Sequence, residues 1–237
     1  MHQKDKNLFT FLKYGLKGLR DLFLLPIFYL PGPLGFTLRY SYYKRRLKYM
    51  GKNVQIDTGV SIQNPQNISI GDNTWIDKYV LLMAGPPAGN RETLAKENED
   101  FKLNEGDLFV GKNVHIAPFS IVSAIGGVYI GNDVAFSSGC KVYSFTHHYR
   151  SFADPSDQTV AFGSQVPQER QAMICGPIVI DDNVALAYCT VLPGVSIHKN
   201  SFITTNSVVS RNIPENSIAS GNPATVIKNR FEDTKHE

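Results

Sequence analysis

The sequence has few cysteines and no long apolar run, and each shortage excludes a class of protein. Its three cysteines are odd in number and form no C-x-x-C pair, which argues against a disulfide framework or a zinc ribbon and favours a reducing compartment. The apolar stretch at residues 22–38 is shorter than the roughly 20 residues that a membrane-spanning helix needs, and three prolines interrupt it. No small-residue cleavage site follows an apolar run, as a signal peptide requires. We therefore predict a cytoplasmic protein without a single transmembrane helix.

A low net charge of +3 hides an uneven distribution of charge. Residues 1–52 carry eleven lysines and arginines against two aspartates, a balance of +9, so the rest of the chain carries −6. This segment contains an amphipathic helical pattern and a second basic block, which suit an anionic membrane surface contacted through residues 1–50. The alternative is a helix that caps the end of the main domain. No recognised nucleic-acid-binding module accompanies the charge, so we predict no nucleic-acid partner. The helical pattern places Leu12, Leu16, Leu19 and Phe23 on one face and Lys13, Lys17 and Arg20 on another.

A six-residue period runs through most of the remaining chain. An aliphatic residue or phenylalanine recurs at nineteen positions, mostly six apart, and a small or β-branched residue usually stands four residues later. This period fits neither an α-helix nor one long strand, and it is typical of triangular coils in which each hexad forms a short strand and a corner. Two-residue steps at 68–70 and 128–130 suggest bulges. The positions are 56, 62, 68, 70, 76, 82, 110, 116, 122, 128, 130, 136, 142, 180, 186, 191, 197, 203 and 209.

The repeat delimits the predicted domains. Residues 1–52 form the basic N-terminal segment, residues 53–228 the solenoid domain and residues 229–237 a C-terminal tail. Two polar insertions, at about residues 86–109 and 147–177, interrupt the coils. Loops on a rigid scaffold usually carry binding and catalytic groups. The second insertion begins at a pair of histidines, which favours a functional role, whereas surface decoration and function remain equally open for the first.

Two further motifs accompany the hexads: "VYSFTHHYRSFADP" at residues 142–155 and "SGNPATVIK" at residues 220–228. Together they resemble the hexapeptide-repeat acyltransferases, and in particular the branch that contains sugar O-acetyltransferases. The resemblance covers about residues 54–228. It implies an all-β fold, a left-handed parallel β-helix with a helical N-terminal segment. It also implies a homotrimer in which acetyl-coenzyme A lies in a groove between the coils of two subunits.

The first motif implies a catalytic base. By resemblance, the family's catalytic histidine falls on His147, with an Asp-Pro dipeptide downstream at Asp154. An alcohol attacks a thioester poorly unless a base removes its proton, and imidazole, with a pKa of about 6.5, suits that task. Adjacent residues of an extended chain point to opposite sides, so we do not expect His148 to share this role, and it joins Asp154 as a candidate acceptor contact. By resemblance, the asparagine that helps to hold the acceptor in galactoside and maltose acetyltransferases falls on Phe119. Phe119 is therefore a third candidate acceptor contact, and we expect a different acceptor pocket here.

The resemblance also implies contacts to acetyl-coenzyme A in the later coils. Cationic side chains suit the phosphates of the donor, and two of the implied contacts are cations. One residue is missing from the hexad between positions 186 and 191, which loosens the assignment of residues 187 and 188 by one position. The implied donor contacts are Ala187, Tyr188, Thr205, Ser210, Arg211 and Lys228.

A metal site is the alternative use of the histidines. Carbonic anhydrases of the same fold hold zinc with three histidines, two of which are close in sequence at coil spacing. The six histidines of this chain contain no such spaced pair. A site assembled across a trimer from His115 and His147 remains an alternative, and we predict no metal.

These inferences predict an acetyl-coenzyme A-dependent O-acetyltransferase with His147 as its general base. The expected acceptor is a sugar or glycan intermediate of cell-surface polysaccharide or lipopolysaccharide biosynthesis, met at the inner face of the cytoplasmic membrane. One alternative is N-acetylation of an amino sugar on a nucleotide carrier, which uses the same base and the same donor. Another is a solenoid scaffold without catalytic activity, which would show no turnover.

Overall fold

In the computed structural model, which describes residues 22–163 and 165–232, the six-residue repeat forms a three-sided parallel β-helix. Each coil contributes a short strand to each of three sheets, and equivalent strands of successive coils pair in parallel. The predicted all-β solenoid is confirmed.

The strands are two to six residues long, and the three sheets form the three sides of the helix. Sheet I contains β1 (Tyr49–Met50), β4 (Ile68–Ile70), β8 (Leu108–Val110), β11 (Val128–Ile130), β16 (Ile178–Ile180) and β19 (Ser196–Ile197). Sheet II contains β2 (Gln55–Ile56), β5 (Trp75–Ile76), β9 (His115–Ile116), β12 (Ala135–Phe136), β17 (Ala185–Leu186), β20 (Phe202–Ile203), β22 (Ser217–Gly221) and β23 (Ala224–Asn229). Sheet III contains β3 (Ser61–Gln63), β6 (Leu81–Met83), β10 (Ile121–Ser123), β13 (Lys141–Tyr143), β18 (Thr190–Val191) and β21 (Val208–Val209).

The nineteen repeat positions form the interior of the helix. All except Ile62 are at most 2% exposed, and Ile62 is partly buried against the same core. The small residues four positions later are also buried, because they fill the corners, where a larger side chain would not fit. These corner residues are Thr74, Val80, Val114, Ser120, Val134, Cys140, Val184, Ser201 and Ser207.

Strands β4 and β11 each place two apolar side chains inside the helix. In both strands the first and third residues are fully buried, because alternate residues of a strand face the same side. Their pairing is regular: Ile68 pairs with Leu108, and Ile70 pairs with Val110. The bulges predicted at these two-residue steps are therefore wrong, and each step is a three-residue strand.

The corner between sheets I and II is built from six asparagines and one aspartate in the left-handed conformation, which these two residue types tolerate better than most others. Their side chains bond from coil to coil: Asn53 Nδ2 donates to Asn73 Oδ1 at 3.1 Å, and Asn183 Nδ2 donates to Asn200 Oδ1 at 2.9 Å. Local backbone preference and contacts between coils therefore favour the same corner. The residues at this corner are Asn53, Asn73, Asn113, Asp133, Asn183, Asn200 and Asn216.

Among the residues described from Leu22 onward, two α-helices lie at the N-terminal end of the solenoid. Helix α1 includes Leu22–Tyr29, and α2 spans Gly32–Lys44. Helix α2 caps the first coil, since Tyr40 Oη donates to the carbonyl of Gly51 at 3.0 Å and Lys44 Nζ donates to the carbonyl of Met50 at 2.8 Å. The alternative interpretation of the N-terminal segment, a helix that caps the end of the solenoid, therefore applies to residues 32–44. Within the described part of the chain, no single helix is long and apolar enough to cross a membrane; α1 and α2 together meet that test by length and composition, with a 118° bend between them.

The predicted amphipathic face of the N-terminal segment lies almost wholly outside the described residues. Only Phe23 of that pattern is described, in α1, and its side chain is 74% exposed. At the other end of the chain, β23 closes sheet II by pairing antiparallel with β22. It ends at Asn229, one residue beyond the expected end of the solenoid domain.

Both insertions leave the same corner of the solenoid, after strands of sheet III. They span residues 84–107 and 144–177, whereas the repeat suggested 86–109 and 147–177. The second starts earlier because its first residues form β14 (Phe145–His147), which pairs antiparallel with β15 (Ala172–Cys175). Strand β15 also pairs in parallel with β7 (Glu92–Ala95) of the first insertion. The two insertions therefore build one three-stranded side sheet.

Candidate active site

A cleft of about 690 Å³, which we call the side-sheet cleft, lies between the side sheet and sheet III. Another cleft, of about 470 Å³ at the N-terminal helices, has neither a histidine nor a carboxylate among its described lining residues, so it offers no general base. One wall of the side-sheet cleft is a row of side chains at the ends of β3, β6, β10 and β13, which parallel pairing aligns. This row consists of Gln63, Met83, Ser123 and Tyr143.

The pairing of the side sheet determines which residues form the opposite wall. His147 pairs with Met173, and Met173 pairs with Thr93 on the far strand. Paired residues share a face of a sheet, as do residues two positions apart along a strand. The residues of this face that line the cleft are Arg91, Phe145, His147, Gln171 and Met173.

The side chain of His147 is exposed in this cleft. Its ring meets the ring of Phe162 edge-on, with 6.3 Å between the centres. Neither ring nitrogen of His147 forms a hydrogen bond with a described residue of the chain, so both are available to a substrate. The structure therefore places the predicted base in a cleft large enough for a sugar.

His148 is held in a different way. Its backbone N–H donates to the carbonyl of Ala172 at 2.8 Å, and Nδ1 lies 2.9 Å from the carbonyl oxygen of Arg150, to which it donates. Its ring stacks on Phe152 with 4.3 Å between the centres and contacts Tyr149 at 4.2 Å. His148 therefore packs the start of the second insertion and does not line the cleft.

Two residues of the first insertion connect it to the second. Arg91 Nε donates to Oε1 of Gln171 at 2.9 Å, on the cleft face. On the opposite face, Oε1 of Glu92 accepts hydrogen bonds from the backbone N–H groups of Phe152 and Ala153, both at 2.7 Å. These hydrogen bonds, chiefly that from Ala153, lower the pKa of Glu92 below its ordinary value.

The other predicted acceptor contacts lie outside the side-sheet cleft. Asp154 is exposed, and its Oδ1 accepts hydrogen bonds from the backbone N–H and the hydroxyl of Ser156, which lower its pKa and close a turn. Phe119 is 63% exposed at a corner between sheets II and III, where its ring stacks on Tyr79 with 5.5 Å between the centres. Within one chain, the structure does not bring either residue to His147.

The predicted donor contacts lie along the later coils and do not line the cleft of the same chain. Tyr188 and Thr205 stand at the corner between sheets II and III, where Lys141 Nζ lies 5.4 Å from the centre of the Tyr188 ring. Arg211 follows β21, and Lys228 lies in β23 opposite Ile218. None of the six predicted donor contacts lines the side-sheet cleft of this chain; they are Ala187, Tyr188, Thr205, Ser210, Arg211 and Lys228.

His115, which the metal alternative requires beside His147, makes its contacts on another side of the solenoid. His115 stacks on Trp75 with 4.7 Å between ring centres, and its Nε2 lies 3.3 Å from Oδ2 of Asp77. It is on sheet II and does not line the cleft of His147. Among residues 22–163 and 165–232, no group of three or more histidine, cysteine, aspartate or glutamate side chains is placed to hold a metal ion.

Sequence reasoning missed the contribution of the first insertion. Arg91 lies in a polar segment that the repeat leaves unassigned, and Gln171 is separated from it by 80 residues. The signal that was present is topological: both insertions interrupt the coil after a strand of sheet III, so they emerge from one corner and lie side by side. A cation in the first insertion was therefore placed to line the same cleft as the base in the second.

Comparisons with known proteins identify the family of this chain. It is 32% identical over 136 residues to WbbJ of Escherichia coli, which is named as a lipopolysaccharide biosynthesis O-acetyl transferase; the match covers 56% of this chain and 66% of that protein. It is 27% identical to the dTDP-4-amino-4,6-dideoxy-D-glucose acyltransferase of E. coli, over 77% of this chain and 82% of that protein. No protein-family model matches the chain.

A solved structure shows the same fold. A variant of the N-acyltransferase AntD from Bacillus cereus, in complex with dTDP and coenzyme A, superposes with a TM-score of 0.62 at 22% identity, covering 80% of this chain and 88% of that chain. The hexapeptide-repeat acetyltransferase from Vibrio cholerae superposes with a TM-score of 0.52 at 17% identity, over 84% of each chain. Because the sequence relatives are named as acyltransferases and the solved structures share the solenoid, the chain belongs to the hexapeptide-repeat acyltransferases.

Proposed function

We propose that the chain acetylates a hydroxyl group of a sugar or glycan intermediate in cell-surface polysaccharide or lipopolysaccharide biosynthesis. The position of His147 carries this proposal: its ring faces the side-sheet cleft, and neither of its nitrogens is bonded to a described residue. The similarity to WbbJ supports the acceptor class.

His147 acts as general base and then as general acid. A ring nitrogen takes the proton of the acceptor hydroxyl while that oxygen forms a bond to the carbonyl carbon of the thioester. The tetrahedral intermediate then breaks its carbon–sulfur bond, and the imidazolium returns the proton to the departing thiolate. Transfer is direct. None of the three cysteines, all buried, lines the cleft as an alternative nucleophile.

The active enzyme is a homotrimer in this proposal. None of the expected donor contacts lines the cleft of the same chain, so in this proposal a neighbouring subunit brings them to His147. Arg211 and Lys228 are both exposed and supply the cations that the phosphates of coenzyme A require. Phe119 and Tyr188 are exposed on the same corner and would face the neighbour.

The enzyme works at the inner face of the cytoplasmic membrane in this proposal. Large apolar side chains of α1 and α2 are exposed, among them Leu22, Phe23 and Leu34. Exposed cations follow α2 at once, including Arg45 and Arg46. An apolar surface flanked by cations suits a bilayer with anionic head groups. This placement would bring the cleft to lipid-linked acceptors.

The assay that tests the function measures release of free thiol from acetyl-coenzyme A in the presence of hydroxyl and amino sugars. The wild type should acetylate a hydroxyl, giving an alkali-labile ester, and His147→Ala should cut turnover by about 10²- to 10⁴-fold without changing the thermal unfolding. An alkali-stable amide on an amino sugar would instead support the N-acyltransferase alternative, which the similarity to the dTDP-sugar acyltransferase favours. Near-normal turnover by His147→Ala would remove His147 as the base.

A further inference from the structure

The side-sheet cleft has an unbalanced charge. Among the described residues that line it, Arg91 is the one arginine or lysine, and there is no aspartate or glutamate. The neighbouring Glu92 does not neutralise it, because that carboxylate lies on the opposite face of the side sheet and bonds to the backbone of Phe152 and Ala153. Arg91 forms no ion pair with a described residue. Its positive charge is therefore left for a ligand.

The guanidinium of Arg91 is held in position before any ligand binds. Its Nε donates to Gln171 Oε1 at 2.9 Å, and its Nη1 donates to the carbonyl of Ala88 at 2.6 Å. Gln171 is itself only 3% exposed, and its Nε2 donates to the carbonyl of Val166 at 2.7 Å. A side chain anchored in this way loses little conformational entropy on binding. Nη2 forms no hydrogen bond with a described residue.

The side sheet sets the distance between Arg91 and His147. Adjacent strands are separated by about 4.8 Å, so β7 and β14, on either side of β15, are about 10 Å apart. Thr93 is in register with His147 through Met173, and Arg91 precedes Thr93 by two residues on the same face. A sugar held between the two side chains can offer a hydroxyl to His147 and a charged substituent to Arg91.

We propose that Arg91 is a specificity-determining residue that binds an oxyanion of the acceptor, either the carboxylate of a uronosyl residue or the phosphate of a glycosyl phosphate. This inference rests on the proposed function for the identity of the acceptor as a sugar. Arginine suits both anions because its planar fork donates two parallel hydrogen bonds to carboxylate or phosphate oxygens.

Calorimetric titration without acetyl-coenzyme A tests the proposal by binding alone. The probes are methyl β-D-glucuronide, glucose 1-phosphate and the neutral methyl β-D-glucoside. The wild type should bind at least one anionic probe about tenfold or more tightly than the neutral one, and the preferred anion identifies carboxylate or phosphate as the group recognised. Arg91→Gln should remove the preference, and Arg91→Lys, which keeps the charge but not the fork, should retain part of it.

Arg170→Gln is the matched control, because Arg170 is an exposed arginine of the second insertion whose Nε bonds the carbonyl of Thr159 outside the cleft. It should keep the anion preference. Equal binding of charged and neutral probes by the wild type would overturn the proposal, as would a preference that survives in Arg91→Gln. If Arg91→Gln unfolds, the salt dependence of binding by the wild type tests the proposal instead. The preference of the wild type for the anionic probe should fall as salt is added, and a salt-independent preference contradicts the proposal.

The same titrations separate this inference from the proposed function. An anion preference without acetyl transfer to any sugar would refute the transferase proposal and leave Arg91 as an anion site. Acetylation of neutral sugars by both wild type and Arg91→Gln, at equal rates, would support the transferase proposal and refute the proposed role of Arg91. A weaker affinity of Arg91→Gln for acetyl-coenzyme A, with unchanged glycoside binding, would assign Arg91 to the donor and overturn the inference.

Discussion

Oε1 of Glu92 lies 2.7 Å from the backbone nitrogen of Ala153, and this hydrogen bond joins the first insertion to the second across 61 residues of sequence. The same oxygen accepts from Phe152 N–H and from the Ser151 hydroxyl, so one carboxylate holds three consecutive residues. The loop that it holds begins directly after the histidine pair. The carboxylate of Glu92, on the face of the side sheet opposite the cleft, therefore holds the loop that follows the two histidines.

This arrangement predicts an acid-sensitive second insertion. Because folding lowers the pKa of Glu92, its contribution to stability is present above the ordinary glutamate value of about 4.3 and is lost as the pH falls through the lower, folded value. Amide hydrogen exchange at residues 151–153 should be slower in the wild type than in Glu92→Gln at pH 7. The difference should shrink below about pH 4. Equal protection of the two proteins at pH 7 would contradict this role for Glu92.

The two histidines should respond differently to substitution. His148→Phe keeps the stacking on Phe152 and Tyr149, so we expect turnover close to that of the wild type. His148→Ala loses this stacking and should destabilise the start of the insertion by about 1 kcal/mol. Steady-state kinetics and hydrogen exchange measure the two effects separately. A loss of turnover in His148→Phe as large as that expected for His147→Ala would show that His148 takes part in the chemistry.

The sequence predicted the solenoid well because its signal is local and repeated. Each inward position can be recognised from its hexad alone, and eighteen of the nineteen are at most 2% exposed. The exception, Ile62, lies on the first coil, which no preceding coil covers. Side chains of the N-terminal helices pack at this end of the core instead. The period also places β13 correctly before the second insertion, since Val142 is its last inward residue.

The cleft could be predicted only in part, because its walls join distant segments without a repeat. His147 was found through a motif, whereas its neighbours on the side-sheet face depend on pairing among β7, β14 and β15. Those strands come from two insertions, and nothing in their composition states the register that aligns Met173 with both His147 and Thr93. Contacts between residues 80 positions apart, such as Arg91 with Gln171, follow from that register alone.

The cap on the first coil depends on Arg39, whose side chain is fully buried. Its Nη1 donates to the carbonyls of Ile27 at 3.1 Å and Leu30 at 2.8 Å, and its Nε donates to the carbonyl of Ile56 in β2. Arg39→Ala leaves these carbonyls, of which that of Ile56 is buried, without this donor and should lower the free energy of unfolding by about 3 kcal/mol.

Chemical denaturation followed by circular dichroism measures this loss. Arg45→Ala is the control, since Arg45 is an exposed cation directly after α2 and should change stability by no more than about 0.5 kcal/mol. Similar losses for the two variants would show that the buried hydrogen bonds of Arg39 do not stabilise the cap.

The proposed membrane contact predicts a loss of vesicle binding when apolar side chains of the helices become polar. The double variant Phe23→Ser, Leu34→Ser removes side chains that are 74% and 63% exposed, and it should weaken binding to phosphatidylglycerol vesicles at least tenfold. Phe231→Ser is the matched control, because that phenylalanine is also 63% exposed but lies at the C-terminal end. Co-sedimentation that is unchanged in the double variant, or equal on phosphatidylcholine vesicles, would exclude this surface as the membrane contact.

The proposed trimer predicts that two inactive variants restore each other. In this proposal His147 and Arg211 act in one active site but come from different subunits, so His147→Ala and Arg211→Glu should each be inactive alone. Unfolding and refolding them together at equal amounts gives mixed trimers. A site is then intact when one subunit supplies the histidine and its neighbour supplies the arginine, each with a chance of one half, so about one quarter of the wild-type activity should return. Sedimentation of the mixture should show a single species three times the mass of the chain. No recovery of activity in such a mixed trimer would place both residues in the active site of the same subunit, and a monomer in sedimentation would remove the groove between subunits altogether.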